Sequence, residues 1–377
     1  MKIAYVTETW KPSVDGVVTR LENTLLHLGR MGHETLVVAP NARGLAPEPG
    51  VVTTPSVGLP FLAAGKPWGL PLTRRVTAAV REFEPDLVHV INPFVLGLAG
   101  VKAARALDLP LVASFHQDIA AVAAHYHVGF VAPFVWKHVR RQHATAARNL
   151  VTSRAMWTLL DAHGIERVAL WPYGVDLDRF HPRRRSTAAR RALVGTDDNV
   201  VAIYVGRLAP EKDLHHLVAL AHAPGVSLVV VGDGPEREDL EAEMGGPNVH
   251  FVGWLGGDEL ADAYAAADVF VFPSTTETLG LVLMEAMASG LPVVAAKSDP
   301  SAEILGDGPA GVLLAPGDWD DLPSVVREVG APGPGHDRRS ATARAKAESW
   351  DWAGATEALV HLYDEIVSST RPPGAGS

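Results

Sequence analysis

Short, mostly apolar runs alternate with longer segments of helical periodicity along most of the chain. Apolar runs of this length are typical of strands buried on both faces of a parallel sheet. Because strand, loop, helix and strand follow one another repeatedly, the pattern predicts βαβ units and an α/β fold. The runs that we interpret as strands lie at residues 3–6, 33–40, 86–91, 109–116, 149–153, 199–205, 226–231, 248–255, 268–272, 292–296 and 312–314.

The pattern stops and restarts near the middle of the chain. Residues 178–191 are rich in arginine, contain Pro182 and have the composition of a connection. We therefore predict two Rossmann-like, doubly wound domains with an interdomain cleft between the carboxyl edges of their sheets. Residues 41–70, rich in glycine and proline, are predicted to form an irregular loop. The predicted bounds are 1–173 and 174–349 for the domains, 350–371 for a helix crossing back to the first domain, and 372–377 for a disordered tail.

Composition excludes several classes of function. The chain has 33 basic and 43 acidic residues and a net charge of −10, which argues against general nucleic-acid binding. Since it contains no cysteine, disulfides, thiolate catalysis and cysteine-bound metals are excluded. The first residues run straight into a strand without a signal peptide, and no apolar run is long enough to span a bilayer. We expect a cytoplasmic protein.

One segment of the first half is both basic and amphipathic. Residues 134–143 form a candidate helix that, with Trp68, Arg74 and Arg75, would make a basic and aromatic surface. Such a surface suits an anionic acceptor or the inner face of a membrane, to which the protein would bind peripherally. The alternative, a solvated helix face, is the simpler interpretation.

The stretch from 272 to 290 carries the strongest chemical signal. After an apolar run, a helical pattern begins near Gly280 and stops at Gly290, a glycine suited to a C-terminal cap. A helix N-terminus offers unpaired N–H groups and a partial positive charge, which suit a diphosphate. Glu277 and Glu285 lie on either side of this helix start, where each could accept hydrogen bonds from hydroxyls of a sugar or a ribose. The alternative is a capped helix with two surface glutamates.

Two cations follow a strand end in the second half. Arg207 offers forked donors and Lys212 a point charge, and both are long enough to reach a phosphate near the start of that helix. Neutralising a diphosphate would also help a nucleotide leave during glycosyl transfer. At the carboxyl edge of the first sheet, His116 ends a strand and Gly16 lies in the loop after the first strand. Their alternatives are a structural histidine and an ordinary turn.

Other signatures of catalysis and nucleotide binding are missing from the sequence. It has no convincing Ser-His-Asp set, no His-rich metal spacing, no Gly-x-Gly-x-x-Gly after the first strand and no Walker-type phosphate loop. These absences weigh against a dehydrogenase and a P-loop enzyme, and no metal site is predicted.

Together, four segments resemble the retaining GT-B glycosyltransferases of family four. The resemblance covers the whole chain, and within the family the sequence is most similar to actinobacterial mannosyltransferases that use GDP-mannose and to sulfoquinovosyltransferases. The segments are the glycine loop at 10–17, the interdomain segment at 174–182, the diphosphate segment at 206–212 and the carboxylate signature at 277–285.

The resemblance implies roles for residues of the second domain, which would bind the nucleotide sugar. Glu277 would hold hydroxyls of the donor sugar, Glu285 would hold the ribose, and Arg207 and Lys212 would bind the diphosphate. The base would lie near 253–255, which includes Leu255. The residues whose backbone would contact the diphosphate are Gly206, Thr278, Leu279, Gly280 and Leu281.

The resemblance also implies a mechanism. The first domain would bind the acceptor, with His116 beside the donor sugar and Gly16 near the phosphate and the acceptor. Transfer would retain the anomeric configuration and need neither metal nor other cofactor beyond a GDP- or UDP-linked co-substrate. The acceptor hydroxyl of a lipid, glycan or natural product would lose its proton to the leaving phosphate. Departures at Asp15 and at 297–300 point to an unusual donor or acceptor.

Two alternatives remain on the same scaffold. One is a sugar-nucleotide epimerase or transferase-like coupling enzyme, and the other is a non-catalytic sugar-nucleotide sensor. The combination of Glu277, Glu285, Arg207 and Lys212 favours a transferase. The sequence does not fix the base, the sugar, the acceptor or the oligomeric state.

Overall fold

The computed structural model describes residues 1–13, 15–41, 48–58, 67–116, 132–195, 199–277 and 279–370. Thr278 and the predicted tail at 372–377 therefore lie outside the described residues. The chain divides into two compact units, Met1–Gly174 with the segment from Trp352 onward, and Val175–Asp351.

The predicted α/β class is confirmed, because helices follow parallel strands in both units. The strands are β1 Lys2–Thr7, β2 Glu34–Pro40, β3 Val51–Thr54, β4 Ser56–Gly58, β5 Pro67–Gly69, β6 Leu87–Ile91, β7 Leu111–Phe115, β8 Arg148–Val151, β9 Val168–Leu170, β10 Val200–Val205, β11 Val226–Val231, β12 Val249–Gly253, β13 Val269–Phe272, β14 Val293–Ala296 and β15 Gly311–Leu314. The α-helices are α1 Gly16–Arg30, α2 Thr73–Phe83, α3 Leu96–Ala106, α4 Ala132–His143, α5 Arg154–Ala162, α6 Thr187–Val194, α7 Val218–Ala221, α8 Arg237–Met244, α9 Gly257–Ala266, α10 Leu281–Ala288, α11 Asp299–Leu305, α12 Leu322–Gly330, α13 Pro334–Ala347 and α14 Trp352–Thr370.

The first unit is built on a seven-stranded parallel sheet in the order β3-β2-β1-β6-β7-β8-β9. Its central strands β6 and β7 are buried at every position, as a parallel sheet covered on both faces requires. The C-terminal helix α14 covers one face with Leu359, Tyr363 and Ile366, which share a helix face. The hydroxyl of Tyr363 lies 3.0 Å from that of Tyr5 and shares a hydrogen bond with His89 Nδ1.

A cation is fully buried in this unit. Arg20 of α1 donates to the carbonyls of Trp171 and Pro172, and its guanidinium lies 4.5 Å from the Trp171 ring centroid. Burial lowers the pKa of Arg20 to about 9, and burial together with the Arg20 charge lowers the pKa of His89 to about 3. His89 is therefore neutral at physiological pH, and Arg20 holds the chain segment that leads out of the first unit.

The second unit is built on a six-stranded parallel sheet in the order β12-β11-β10-β13-β14-β15. Helix α10 begins and ends as predicted: Gly290, two residues after its end, has the left-handed φ of +79° that favours glycine. Arg344 of α13 donates to Ala288 O at 2.7 Å and to Phe180 O at 2.9 Å. These bonds satisfy a carbonyl at the C-terminus of α10 and fix the helix in the unit.

Two predicted connections contain regular structure. The region 41–70 was expected to be an irregular loop, but β3 pairs in parallel with β2, and β4 pairs with β5 in an antiparallel hairpin. The arginine-rich segment 178–191 includes the start of α6, which Ser186 caps at its N-terminus and Gly195 ends with a φ of +71°. Both predictions were wrong because strands of three or four residues and a helix of eight depend on tertiary pairing, which local composition does not show.

Asp268, just before β13, ties α6 to the second sheet. Its buried carboxylate accepts hydrogen bonds from Arg185 Nη2 at 2.6 Å, Arg190 Nη2 at 2.8 Å and Val201 N at 2.8 Å. Removing it would leave two guanidinium groups without a counterion and one N–H without its acceptor. We expect Asp268→Ala to lower the free energy of unfolding by about 3–5 kcal/mol, measured by urea unfolding.

The matched control is Glu328→Ala, since the carboxylate of Glu328 pairs with Arg339 at 3.3 Å in an exposed position. This control should change the free energy of unfolding by less than about 1 kcal/mol. Equal effects of the two substitutions would show that the Asp268 network does not stabilise the unit.

Candidate active site

The candidate site of the second unit lies at the point where the strand order of its sheet reverses. Strand β10 is central and pairs with β11 on one side and β13 on the other. In doubly wound folds, ligands bind beyond the carboxyl ends of the strands at such a switch point. The loops that leave β10 and β13 there carry the residues that the sequence analysis selected.

The loop after β10 positions the two predicted cations. Lys212 lies in a single 3₁₀ turn, Pro210–Lys212, and Arg207 lies just before it. The Tyr204 hydroxyl donates to Arg207 O at 3.1 Å, and a Cβ on Gly206 would come within 2.6 Å of that hydroxyl oxygen. Glycine at 206 thus lets the backbone pass over the tyrosine and turn toward the sheet edge.

Each cation forms an ion pair with a carboxylate of the protein. Arg207 Nη2 pairs with Glu211 Oε1, and Lys212 Nζ pairs with Glu277 Oε1 in the loop after β13. The structure therefore places Lys212 beside Glu277 and Arg207 beside Glu211, and the roles predicted for these residues stay predictions. Glu211 is a component that the sequence analysis missed, although its position four residues after Arg207 was a readable signal for an ion pair.

Helix α10 begins directly after this loop. Its N-cap is Gly280, which has a φ of +71° and no side chain of its own to cap the helix, and Leu281 is its first residue. A Cβ on Gly280 would come within 2.9 Å of Leu283 Cδ1, so the position requires glycine for both conformation and space. Leu279 is buried beside it and anchors the turn. The amides at the start of α10 thus present a partial positive charge near Glu277.

Glu285 lies on the second turn of the same helix. Its carboxylate accepts a hydrogen bond from the Tyr264 hydroxyl at 3.2 Å. Burial raises the pKa of Glu285 to about 7, and the hydrogen bond from Tyr264 and the charge of Arg179 oppose this shift without cancelling it. The group therefore changes its charge near neutral pH. Tyr264, on α9, was not selected from the sequence.

The loop after β12 holds the predicted base-binding position. Leu255 is partly exposed there, and the neighbouring Trp254 exposes 60% of its surface. An exposed indole is an apolar, planar surface on which a base could stack.

In the first unit, His116 lies at the end of β7. Its backbone N–H donates to Asn92 Oδ1 at 2.7 Å, and its ring Nε2 is 2.9 Å from Ser114 Oγ. Its ring meets the Trp171 ring edge-on, with the two ring centroids 5.3 Å apart. Burial, with a smaller contribution from the charge of Arg20, holds the pKa of His116 well below its usual range. A neutral imidazole at this sheet edge can exchange hydrogen bonds with a ligand without adding charge.

Two helix N-termini of the first unit already hold carboxylates. Gly16 is the first residue of α1, and the side chain of Asp15 accepts hydrogen bonds from Val17 N and Val18 N, both at 3.0 Å. At the start of α3, the buried carboxylate of Glu8 accepts four backbone N–H groups at 2.7 to 3.1 Å, from Phe94, Val95, Leu96 and Gly97. An external phosphate would have to compete with these internal anions, whereas the N-cap residue of α10 is a glycine without a side chain.

The described residues offer neither a metal-binding cluster nor a membrane-spanning helix. They contain no group of three or more His, Cys, Asp or Glu side chains that could hold a metal ion. None of the helices among them is both long and apolar enough to cross a bilayer.

Comparison with known proteins identifies the family. The family described as glycosyl transferases group 1 matches residues 186–346, and glycosyltransferase family 4 matches residues 14–179. The chain is 36% identical to a GDP-mannose-dependent alpha-mannosyltransferase of Corynebacterium glutamicum, over 99% of this chain and 91% of the relative. It is 35% identical to a sulfoquinovosyl transferase of Arabidopsis thaliana, over 91% of this chain and 69% of the relative.

A solved structure supports the same fold. Sucrose-phosphate synthase from Thermosynechococcus elongatus superposes with a TM-score of 0.81 at 22% identity, over 98% of this chain and 99% of that one. The fold is thus GT-B, with two Rossmann-like domains. The chain belongs to the group 1 glycosyltransferases of family 4, and it is a hexosyltransferase that uses a nucleotide-sugar donor.

Proposed function

We propose that the chain is a retaining, metal-independent hexosyltransferase that moves a mannose- or glucose-type residue from a GDP- or UDP-sugar to an acceptor hydroxyl. The observation that carries the proposal is the start of α10. It is a helix N-terminus whose N-cap residue, Gly280, has no side chain, at the switch point of the sheet, beside Lys212 and the loop that bears Arg207. These features together suit a diphosphate.

Donor binding would exchange ion pairs. In the structure, Lys212 pairs with Glu277 and Arg207 with Glu211, so the carboxylates hold both cations in place. A diphosphate carries more negative charge than either carboxylate and would draw the cations toward itself. The departure of Lys212 from Glu277 would free that carboxylate to accept hydrogen bonds from the donor sugar. Sugar recognition would thus depend on prior binding of the diphosphate.

The chemical step would then need no base on the protein. The bond between C1 of the sugar and the phosphate oxygen breaks, and a bond between C1 and the acceptor oxygen forms on the same face. The acceptor proton passes to the departing phosphate oxygen, which yields a glycoside and a nucleoside diphosphate. Arg207, Lys212 and the amides of α10 would stabilise the negative charge that grows on this phosphate.

The remaining predicted residues would complete the site. We assign Glu285, oriented by Tyr264, to the ribose hydroxyls, and the loop with Leu255 to the base. The backbone of Gly206, Leu279, Gly280 and Leu281, with Thr278, would line the diphosphate. The second domain, 174–349, would bind the donor, and the first, 1–173, would bind the acceptor. His116 and Gly16, at the sheet edge of the first unit, stay assigned to the sugar and the acceptor side.

Because the Corynebacterium relative is a GDP-mannose-dependent alpha-mannosyltransferase, GDP-mannose is the first donor to test. The enzyme should release GDP or UDP when a nucleotide sugar is supplied with a lipid extract, an oligomannoside or a phenolic glycoside as acceptor. The glycoside product should keep the α configuration of the donor by NMR, and excess EDTA should leave the rate unchanged. A β-linked product, or a loss of activity in EDTA that magnesium restores, would contradict the mechanism.

The Glu277→Ala variant tests the predicted sugar contact in the same assay. Turnover should fall at least 100-fold while the nucleoside diphosphate still binds, because the sugar loses its carboxylate and the diphosphate keeps its cations. Conversion of the donor to another sugar nucleotide without acceptor would indicate an epimerase. Binding without turnover with every acceptor would indicate a sensor.

The raised pKa of Glu285 gives the donor affinity a pH dependence. Ribose hydroxyls donate hydrogen bonds best to the ionised carboxylate, so binding should release a proton from the fraction of Glu285 that is protonated. The affinity for a nucleotide sugar should fall as the pH drops from 8 to 6, through the pKa of about 7. Titration calorimetry in two buffers of different ionisation enthalpy measures this proton release.

The control is Glu285→Gln, which keeps the shape of the side chain and removes its titration. Affinity should be lower in this variant and independent of pH over the same range. Nucleotide sugars are the right probe because both of their phosphates stay fully ionised from pH 6 to 8. If the variant keeps the pH dependence of the wild type, another group causes it.

We propose further that α4 brings the enzyme to an anionic membrane surface, where a lipid acceptor would lie. Phe134 exposes 74% of its surface, and Lys137, Arg140 and Arg141 are exposed on the same helix. Trp136 does not contribute, since its ring stacks on His163 at 3.6 Å, and the side chain of Trp68 lies outside the described residues.

Vesicle sedimentation tests this contact. The protein should bind vesicles that contain phosphatidylglycerol and not pure phosphatidylcholine vesicles. Phe134→Ser together with Arg141→Glu should reduce binding at least fivefold. Trp157→Ser, which changes an aromatic residue exposed on α5, is the control and should bind as the wild type does. Equal binding of all three proteins would remove α4 from the interface.

A further inference from the structure

We propose that Glu211 is a positioning residue that organises both halves of the donor site. Its carboxylate pairs with the guanidinium of Arg207. Its backbone carbonyl accepts hydrogen bonds from the loop that bears Glu277. The inference rests on the proposed function, in which Arg207 binds the diphosphate and Glu277 binds the sugar. No contact of Glu211 itself with the substrate is implied.

The first half of this role depends on an asymmetric ion pair. The side chain of Glu211 is 5% exposed, whereas that of Arg207 is 35% exposed. A carboxylate is costly to bury unless a cation and hydrogen bonds compensate it, and Arg207 provides both. Glu211 holds one edge of the planar guanidinium of Arg207, which restricts the directions that its remaining donors can take. The flexible arginine is thereby oriented before the diphosphate arrives.

The second half of the role uses the main chain of the same residue. Glu211 O accepts hydrogen bonds from Thr276 Oγ1 at 2.8 Å and from Ser274 Oγ at 3.3 Å. These hydroxyls belong to the loop after β13, and Glu277 follows Thr276 directly. The adjacent Lys212 then pairs with Glu277. The two loops are therefore joined at Glu211 and at Lys212.

In this arrangement, the orientation of Arg207 and the electrostatic attraction of the diphosphate depend on different residues. The negative charge of Glu211 repels a diphosphate, so the residue cannot raise donor affinity by its own electrostatics. Its benefit must come through the orientation of Arg207 and of the 273–277 loop. A side chain that accepts the same hydrogen bond without the charge should therefore substitute for it, whereas a side chain without an acceptor should not.

A double-mutant cycle tests whether Glu211 acts through Arg207. GDP and UDP binding by calorimetry, and kcat and KM with the better donor, are measured for wild type, Arg207→Ala, Glu211→Ala and the double variant. We expect Arg207→Ala to weaken binding 10- to 100-fold. Glu211→Ala should weaken it about 10-fold in the wild-type background and less than twofold when Arg207 is already absent. Glu211→Gln should recover most of the loss.

The outcomes separate this inference from the proposed function. If Arg207→Ala binds as the wild type does, the proposed diphosphate site and this inference both fail. If Arg207→Ala weakens binding but Glu211→Ala has the same effect in both backgrounds, only the inference fails. A Glu211→Gln variant that folds as the wild type does but binds as weakly as Glu211→Ala also overturns it.

Thr276→Val tests the second half and covers the event that Glu211→Ala does not fold. The substitution removes the hydroxyl that donates to Glu211 O and keeps the shape of the side chain. We expect kcat to fall at least fivefold, since Glu277 loses its support, with less than a twofold change in nucleoside diphosphate affinity. An unchanged kcat, or an equal loss of nucleoside diphosphate affinity, would contradict this half.

Discussion

The structure depends on a single electrostatic constraint, namely how the polar N–H groups at helix starts are satisfied along the carboxyl edges of the two sheets. Where Glu8 and Asp15 supply a carboxylate, the helix start is closed by the protein itself. At α10, the N-cap residue Gly280 has a left-handed backbone and no side chain of its own. In the proposed function, the anion that completes this site comes from outside the chain.

The same constraint explains the unusual density of opposite charges around that helix. Arg207 and Lys212 would repel one another without counterions, and Glu211 and Glu277 pair with them. In the proposed function, Glu277 then becomes a hydrogen-bond acceptor for the sugar once the phosphate arrives. The same residue would thus serve as a counterion before donor binding and as a sugar ligand after it.

Much of this was predictable from the sequence, because buried parallel strands read as apolar runs and Gly280 and Gly290 delimit α10. That Lys212 and Glu277 lie near each other was also predictable, since both follow strand ends. Their roles, and that of Arg207, stay predictions. The sequence did not show β3, the β4–β5 hairpin or α6, which depend on tertiary partners. It also did not show the burial that raises the pKa of Glu285 or the burial of Arg20, because both arise from neighbours distant in the chain.

The most direct test of the account is a crystal structure of the enzyme with a bound nucleoside diphosphate. The account predicts the terminal phosphate within about 3 Å of backbone N–H groups at the start of α10 and of the Arg207 guanidinium, with Lys212 withdrawn from Glu277. A diphosphate bound instead at the start of α1 or α3, with Arg207 and Lys212 still on their carboxylates and remote from it, would contradict the account.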